Sequence, residues 1–237
     1  MRITFRFRFI PFVAATIAVA VGLSLAQWQT RRATEKIELS NMLQARQSAP
    51  AIRLGVALDK NEDLEFRRII VKGEFLRDWP IYLDNRPNNG VAGFYLLMPF
   101  KIAASNQHVL VARGWIPRNV VDRTKVPVTA TPDGTIEIEG LARQSIGRVM
   151  QLGAVDTPQP HAIVQNLDIA SFAASSKLAM QPIFLEQLSD TKDGLVREWP
   201  LPSLGVEKHR GYAFQWYALA AMAFIFFVVT GIRRGKK

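Results

Sequence analysis

The stretches FIPFVAATIAVAVGLSLA (residues 9–26) and YAFQWYALAAMAFIFFVVTGI (residues 212–232) decide the fold of this 237-residue chain. The first carries no charge, and the one strongly polar residue of the second is Gln215. About 20 apolar residues, at a rise of about 1.5 Å each, cross a hydrocarbon core of about 30 Å. The pattern predicts a membrane protein in which two transmembrane helices flank one large extramembrane domain.

The net charge of +10 comes mostly from the ends of the chain. The other 23 Lys and Arg residues nearly balance 20 Asp and Glu, which argues against a nucleic-acid partner. Seven cations flank the spans, namely Arg2, Arg6, Arg8, Arg233, Arg234, Lys236 and Lys237. Because such cations stay on the cytoplasmic side, we predict cytoplasmic tails at residues 1–8 and 233–237. In a bacterium, the chain would lie in the inner membrane and residues 27–211 in the periplasm. In a mitochondrion, residues 27–211 would lie in the intermembrane space.

The first span has a second interpretation. Its basic start, apolar middle and Ser24-Leu25-Ala26 also fit a cleaved signal peptide. The apolar run is long for that role, and we favour a retained anchor. The chain contains no cysteine, so disulfides, thiolate catalysis and Cys-ligated metal centres are excluded.

Between the spans the pattern is mostly that of β-strands. Residues 27–46 should continue the first helix until Pro50 ends it, and Asp168 should cap a helix over residues 169–178. We predict strands at residues 66–75, 81–84, 94–100, 108–116, 135–141, 162–167 and 183–188. Strands joined by short turns indicate a mostly antiparallel sheet or a small barrel with about one or two helices.

One face of the second span could bind a ligand. Helical spacing aligns His209, Tyr212, Ala213, Trp216 and Ala220. A metal ligand, two aromatic rings and two small residues in one stripe could hold a flat apolar macrocycle. The alternative, which spacing alone favours, is an aromatic belt beside an interfacial histidine.

The exit of the first span lies at the same depth and carries cations. Trp28, Arg31 or Arg32, and Glu35 share a helical face. Guanidinium groups beside an apolar slot suit a ligand with carboxylate tails. Equally, these could be cations that reach up to the lipid headgroups.

The remaining motifs have structural explanations. Arg113-Gly114-Trp115 could form a binding rim, but a strand end with a buried tryptophan and a tightly packed glycine is favoured. Asp84-Asn85-Arg86 suggests hydrogen bonds within a loop, His108 an ordinary strand residue and His161 an exposed loop residue. No phosphate loop, zinc motif or catalytic triad is recognisable, so we expect a protein that is not an enzyme.

The chain resembles the surfeit locus protein 1 family of cytochrome c oxidase assembly factors over nearly its whole length. The resemblance is carried by Leu25-Ala26-Gln27-Trp28-Gln29 with Arg31, Arg32 and Lys36, by Arg68 with Gly73-Glu74-Phe75, by Asn85-Arg86 with Gly93 and Pro99, by residues 109–117, by residues 134–140, and by His209 with Tyr212-Ala213, Trp216-Tyr217 and Leu219-Ala220. Ala26 replaces the usual glycine, and Glu207-Lys208 stand where asparagines are usual.

This resemblance implies a chaperone that holds haem a transiently and aids its delivery to oxidase subunit I, with His209 as an axial ligand of the haem iron. Tyr212, Trp216, Trp28, Arg31 and Arg32 would complete the binding site. Haem a synthase is a further possible partner, beside membrane lipid. The alternative is a membrane-anchored scaffold that binds oxidase subunits without haem, with Trp115 on its binding surface. An enzyme acting on haem or quinone is the third hypothesis.

Overall fold

A computed structural model describes residues 3–55, 63–122, 124–150, 157–200 and 205–234 of the chain. The elements in chain order are β1 (Ile3–Phe5), α1 (Phe9–Ser48), β2 (Ile52–Arg53), β3 (Arg68–Phe75), β4 (Ile81–Leu83), β5 (Gly93–Ile102), β6 (Gln107–Pro117), β7 (Ile136–Arg143), β8 (Ile163–Val164), α2 (Ile169–Ser176), β9 (Ala179–Gln187), α3 (Val206–Gly231) and β10 (Ile232–Arg234). They form two compact units, one built on the long helices and one, Gln44–Pro200, on the sheet.

The helical unit pairs α1 with α3. Both helices are long and apolar enough to cross a membrane, and most of their side chains in those stretches are exposed. A soluble core helix would instead bury most of its apolar side chains. As predicted, α1 continues without a break past the apolar stretch and ends at Ser48, just before Pro50. The helices run antiparallel, and β1 pairs with β10, so that Ile3 lies opposite Arg234.

The sheet of the second unit closes on itself. Neighbouring strands follow the order β3-β7-β9-β6-β5, and β5 returns to β3 through Gly73–Ile102 and Phe75–Phe100. Gly73 permits this closure, because a Cβ there would collide with the carbonyl oxygen of Lys101. The strands β4 and β8 extend the sheet beyond β5, and β2 lies beside β3. The predicted β-rich domain is therefore confirmed, and of the two predicted alternatives, a mostly antiparallel sheet or a small barrel, the structure shows the barrel.

Most barrel pairings are antiparallel, but three are parallel: β2–β3, β4–β8 and β6–β9. The β6–β9 pair adjoins the crossover through α2, the kind of connection that parallel neighbours require. Asp168 caps α2 as predicted, since its carboxylate accepts a hydrogen bond from Ser171 N at 2.8 Å.

Strand alternation divides the buried residues into two clusters. One fills the barrel with side chains such as Ile69, Leu96, Phe100 and Val111. The second cluster lies outside the barrel. There Phe172 of α2 packs against side chains from the alternate positions of the strands, including Leu97 and Leu110. A cysteine-free domain is thus held together by two apolar clusters.

Candidate functional site

The contact face of the helical unit is lined by small residues. Buried positions along α1 and α3 include Gly22, Ala26, Ala33, Ala213 and Ala220. Small residues let two helix backbones approach closely, which is how helices associate in lipid. Of the five residues predicted to share one face of the second span, His209, Ala213, Trp216 and Ala220 are half-buried or buried, whereas Tyr212 is exposed.

His209 contacts the first helix at this face. Its Nδ1 atom lies 2.7 Å from Oε1 of Gln29, and both side chains are partly buried. The exit of the first apolar stretch is therefore level with His209, as the sequence predicted. The partner itself was not predicted: the sequence analysis paired this histidine with arginines.

Three of the predicted site residues lie on one flank of the helix pair. At about 3.6 residues per turn, Trp28 and Arg32 lie to one side of Gln29, and Tyr212 lies to one side of His209. Because the helices are antiparallel, these two sides coincide. The guanidinium of Arg32 lies 6.0 Å from the Trp28 ring centroid and donates to Glu35 at 2.9 Å. Of the two arginines that the sequence offered, Arg32 is therefore the one that lies with Trp28 and Glu35.

The structure does not bring Arg31 to this flank. Two positions beyond Gln29, it lies on the opposite side of α1, where it is exposed. Tyr212 is also more peripheral than expected, with 53% of its surface exposed. Of the six predicted site residues, His209 and Trp216 are the two that lie partly within the helix contact.

An apolar groove of about 510 Å³ follows the same flank deeper along the helices. It is lined by Ala18, Val21, Gly22, Trp216, Leu219, Met222, Ala223 and Phe226. Trp216 belongs both to this groove and to the stripe that contains His209. This flank therefore carries a cation (Arg32), an imidazole (His209) and the apolar groove in that order along the helices, with the imidazole in the middle.

The spacing of small residues on the first helix is a sequence signal for the position of Gln29. Gly22, Ala26, Gln29 and Ala33 are spaced by four, three and four residues, the spacing of one helix face. Three of the four are small, which indicates that this face contacts another helix. Gln29 is the polar residue on that face. In an apolar surrounding, such a residue is expected to have a polar partner.

In the barrel unit, Arg113 is buried in a charge network rather than exposed at a rim. Both Arg113 and Asp193 have fully buried side chains, and Nη2 lies 2.7 Å from Oδ2. Arg197 approaches the same oxygen at 2.6 Å. Burial alone would raise the pKa of Asp193, but hydrogen bonds from Arg197, Thr191 and Leu195 N–H lower it below the ordinary value of 3.8.

Trp115 and its neighbours confirm the structural interpretation of this motif. Trp115 is 9% exposed, and its Nε1–H donates to the carbonyl of Arg86 at 2.6 Å. A Cβ on Gly114 would come within 2.6 Å of Leu195 Cβ, and a Cβ on Gly93 would collide with the Trp115 indole. Arg86 donates to main-chain oxygens of Asp84, Asn85, Gly147 and Gln165, as its predicted loop role requires.

The other two histidines also lie where the sequence placed them. His108 is buried on β6, and burial lowers its pKa. His161 is exposed in a loop. Across the described ranges, no group of three or more His, Asp or Glu side chains is arranged to hold a metal ion.

The similarity to known proteins extends over both long helices and the barrel. The SURF1 family matches residues 16–221. A SURF1-like protein of Rickettsia bellii is 29% identical over 86% of this chain and 84% of its own length. The cytochrome oxidase assembly protein SHY1 of Saccharomyces cerevisiae is 28% identical over 73% of this chain, which spans 45% of that protein. Surfeit locus protein 1 of Arabidopsis thaliana is 34% identical over 42% of this chain and 32% of its own length. With the family match extending from the first helix through the barrel to the second helix, the chain belongs to the SURF1 family.

Proposed function

We propose that this protein assists the assembly of haem–copper cytochrome c oxidase by holding haem a transiently at His209. In this proposal it is a non-catalytic carrier that delivers haem a to subunit I, and it receives haem a from the synthase. The observation that carries the proposal is the position of His209, partly buried beside Gln29 at the head of an apolar groove.

The residues of this flank suit the chemical parts of haem a. A neutral imidazole is a common axial ligand of haem iron. Trp216 and the groove offer an apolar surface for the macrocycle and its hydrocarbon tail. Arg32 is exposed and could exchange its Glu35 partner for a propionate, while Trp28 supports its guanidinium. Arg31 would act from the far side of α1 through long-range attraction alone.

Family membership supports the assembly role independently of the site. One relative in this family is named as a cytochrome oxidase assembly protein. A carrier must also release its cargo. A single histidine as the protein ligand of the haem iron would suit a site of transfer better than permanent binding.

The decisive experiment is a haem spectrum. Protein purified from cells that make haem a should show a Soret band, and His209→Ala should lose most of it. His161→Ala is the matched control, because it removes an exposed histidine of the barrel unit. A wild-type protein without a Soret band, or a band that His209→Ala leaves intact, would contradict the proposal.

We further propose that the protein resides in a bacterial inner membrane, with both termini cytoplasmic and the barrel periplasmic. The terminal cations favour this orientation. The pairing of β1 with β10 supports it, because it brings the two ends of the chain to the same end of the helix pair.

A scaffold without haem is the second candidate function. The burial of Trp115 removes its predicted binding surface, but Val120 and Val121 are 97% and 96% exposed in one loop. These two valines form the exposed apolar surface that a partner protein would cover under this candidate function. A scaffold predicts that Val120→Ser with Val121→Ser abolishes co-purification with oxidase subunits while haem content is unchanged. Retained co-purification would remove the argument for this candidate.

A further inference from the structure

The hydrogen bond between Gln29 and His209 is unusual in its setting. The helix contact around it is built from glycine and alanine. Within the described residues, no other side-chain hydrogen bond joins α1 to α3, and this one is short at 2.7 Å. A polar pair in an otherwise small and apolar helix contact orients its members, because each is the polar side chain that the other meets across that contact.

The chemistry of the two atoms determines the state of the imidazole. An amide oxygen only accepts hydrogen bonds, so Nδ1 of His209 must carry the hydrogen. A neutral imidazole with hydrogen on Nδ1 presents a free lone pair on Nε2. Ligating histidines typically donate their other N–H in this way, and that partner fixes both the tautomer and the ring orientation.

We infer that Gln29 is a positioning residue for His209, which holds the imidazole with Nε2 free to ligate haem iron. This inference rests on the proposed function. It extends that function to the first helix. The ligand comes from α3, and its orientation and tautomer are set by α1. Separation of the helices would then weaken the ligand, and this gives the carrier a physical means of release.

A neutral amide suits transfer better than a carboxylate would. A carboxylate partner makes the imidazole more basic and binds the metal more firmly. The amide of Gln29 orients the imidazole but makes it less basic than a carboxylate would. Gln29→Glu should therefore strengthen haem retention and make the haem reduction potential more negative, whereas Gln29→Leu should remove the orientation without changing side-chain size much.

Nuclear magnetic resonance of haem-free protein tests the tautomer directly. The chain has three histidines, so ¹⁵N-labelled imidazoles can be assigned by comparison with His209→Ala. We expect His209 to carry hydrogen on Nδ1 in the wild type and to become a mixture of tautomers in Gln29→Leu. If the amide were rotated by half a turn, its nitrogen would donate to Nδ1 and Nε2 would be protonated. That result, or an unchanged tautomer in Gln29→Leu, would overturn the inference.

The haem-loaded protein supplies the second test. Removal of such a supporting partner typically costs about 10- to 100-fold in metal affinity, and we expect a loss of about 10-fold or more for Gln29→Leu. Gln27→Leu is the control, because Gln27 is exposed two positions away. Gln29→Glu should restore binding and lower the potential. If wild-type protein binds haem but both Gln29 variants match it in affinity and potential, the positioning role fails alone. If wild-type protein binds no haem, the proposed function fails, whatever the tautomer.

Discussion

Gly22 on α1 lies against Ala220 on α3, so closely that a methyl group on Gly22 would come within 2.9 Å of the Ala220 Cβ. The same methyl group would lie 3.2 Å from the carbonyl oxygen of Trp216. Backbone carbonyls in a helix cannot move aside as a flexible side chain can. This contact therefore fixes the approach of the two helices, about two turns from the Gln29–His209 hydrogen bond.

Replacement of Gly22 by leucine should separate the helices. Overpacking of this kind typically costs about 1–3 kcal/mol. Because the chain lacks cysteine, Ala26→Cys with Ala213→Cys gives a clean cross-linking assay between two buried positions of the contact. We expect efficient disulfide formation in the parent and a strong reduction in Gly22→Leu. Ile17→Leu, at an exposed position of α1, should cross-link like the parent, and equal cross-linking in all three would refute the role of Gly22.

The buried pair of Arg113 and Asp193 should be important for barrel stability. Asp193→Asn leaves the guanidinium of Arg113 buried without its anion, a change that typically costs about 3–5 kcal/mol. Urea unfolding at neutral pH, followed by the barrel tryptophans, measures the loss. Asp190→Asn is the matched control, because this exposed carboxylate meets Arg197 at 3.4 Å and should cost less than about 1 kcal/mol. Similar losses in both variants would argue against the buried pair.

The same pair has a defined pH dependence. Hydrogen bonds hold the pKa of Asp193 below 3.8 in the folded protein, so its stabilising contribution is complete above that value and is lost as pH falls through the lowered pKa. The difference in unfolding free energy between wild type and Asp193→Asn should therefore be constant near neutral pH and shrink below about pH 4. Burial raises the pKa of Glu186, which contributes in the opposite direction, but it is common to both proteins. A difference that stays constant to pH 3 would contradict this assignment.

The proposed orientation predicts which positions are accessible from outside. A single cysteine at Val120, which is 97% exposed, should react with a membrane-impermeant maleimide on intact spheroplasts. A single cysteine at Phe7, in the first terminal segment, should react only after the membrane is opened. The reverse pattern would place the barrel in the cytoplasm and exclude the proposed periplasmic site.

Regular patterns were sufficient to predict most of the barrel. The alternation of residues 135–141 matches β7, and Pro117 ends β6 as expected. The predicted start of β9 at Ile183 is wrong, since the strand begins at Ala179. Proline cannot donate to a strand ladder, and the β6–β9 register shifts where Pro182 lies. Proline there marks an irregularity within a strand and not its start.

Features set by tertiary contact were not predictable from local patterns. The strand β2 is two residues long and was not predicted, and β8 covers two of the six residues predicted as a strand at 162–167. Both strands exist because β3 and β4 offer open edges. Closure of the barrel depends on the approach of Gly73 to Lys101. These residues are too far apart in the sequence for a periodic pattern to relate them. For the candidate site, the face of α3 was predicted from its own spacing. Its partner on α1 was not predicted, because Gln29 carries no charge and its role depends on the contact between the two helices.

The contact between Gly93 and Trp115 tests whether Arg113-Gly114-Trp115 is a buried strand end or a binding rim. A methyl group on Gly93 would collide with the indole of Trp115, whose Nε1–H is held by the Arg86 carbonyl. The indole cannot shift without breaking that buried hydrogen bond, so Gly93→Ala should lower the free energy of unfolding by about 1–3 kcal/mol. Gly55→Ala is the control, because a Cβ there meets nothing within 4 Å. If these residues instead formed a binding rim, Gly93→Ala would reduce co-purification of oxidase subunits and leave urea unfolding unchanged.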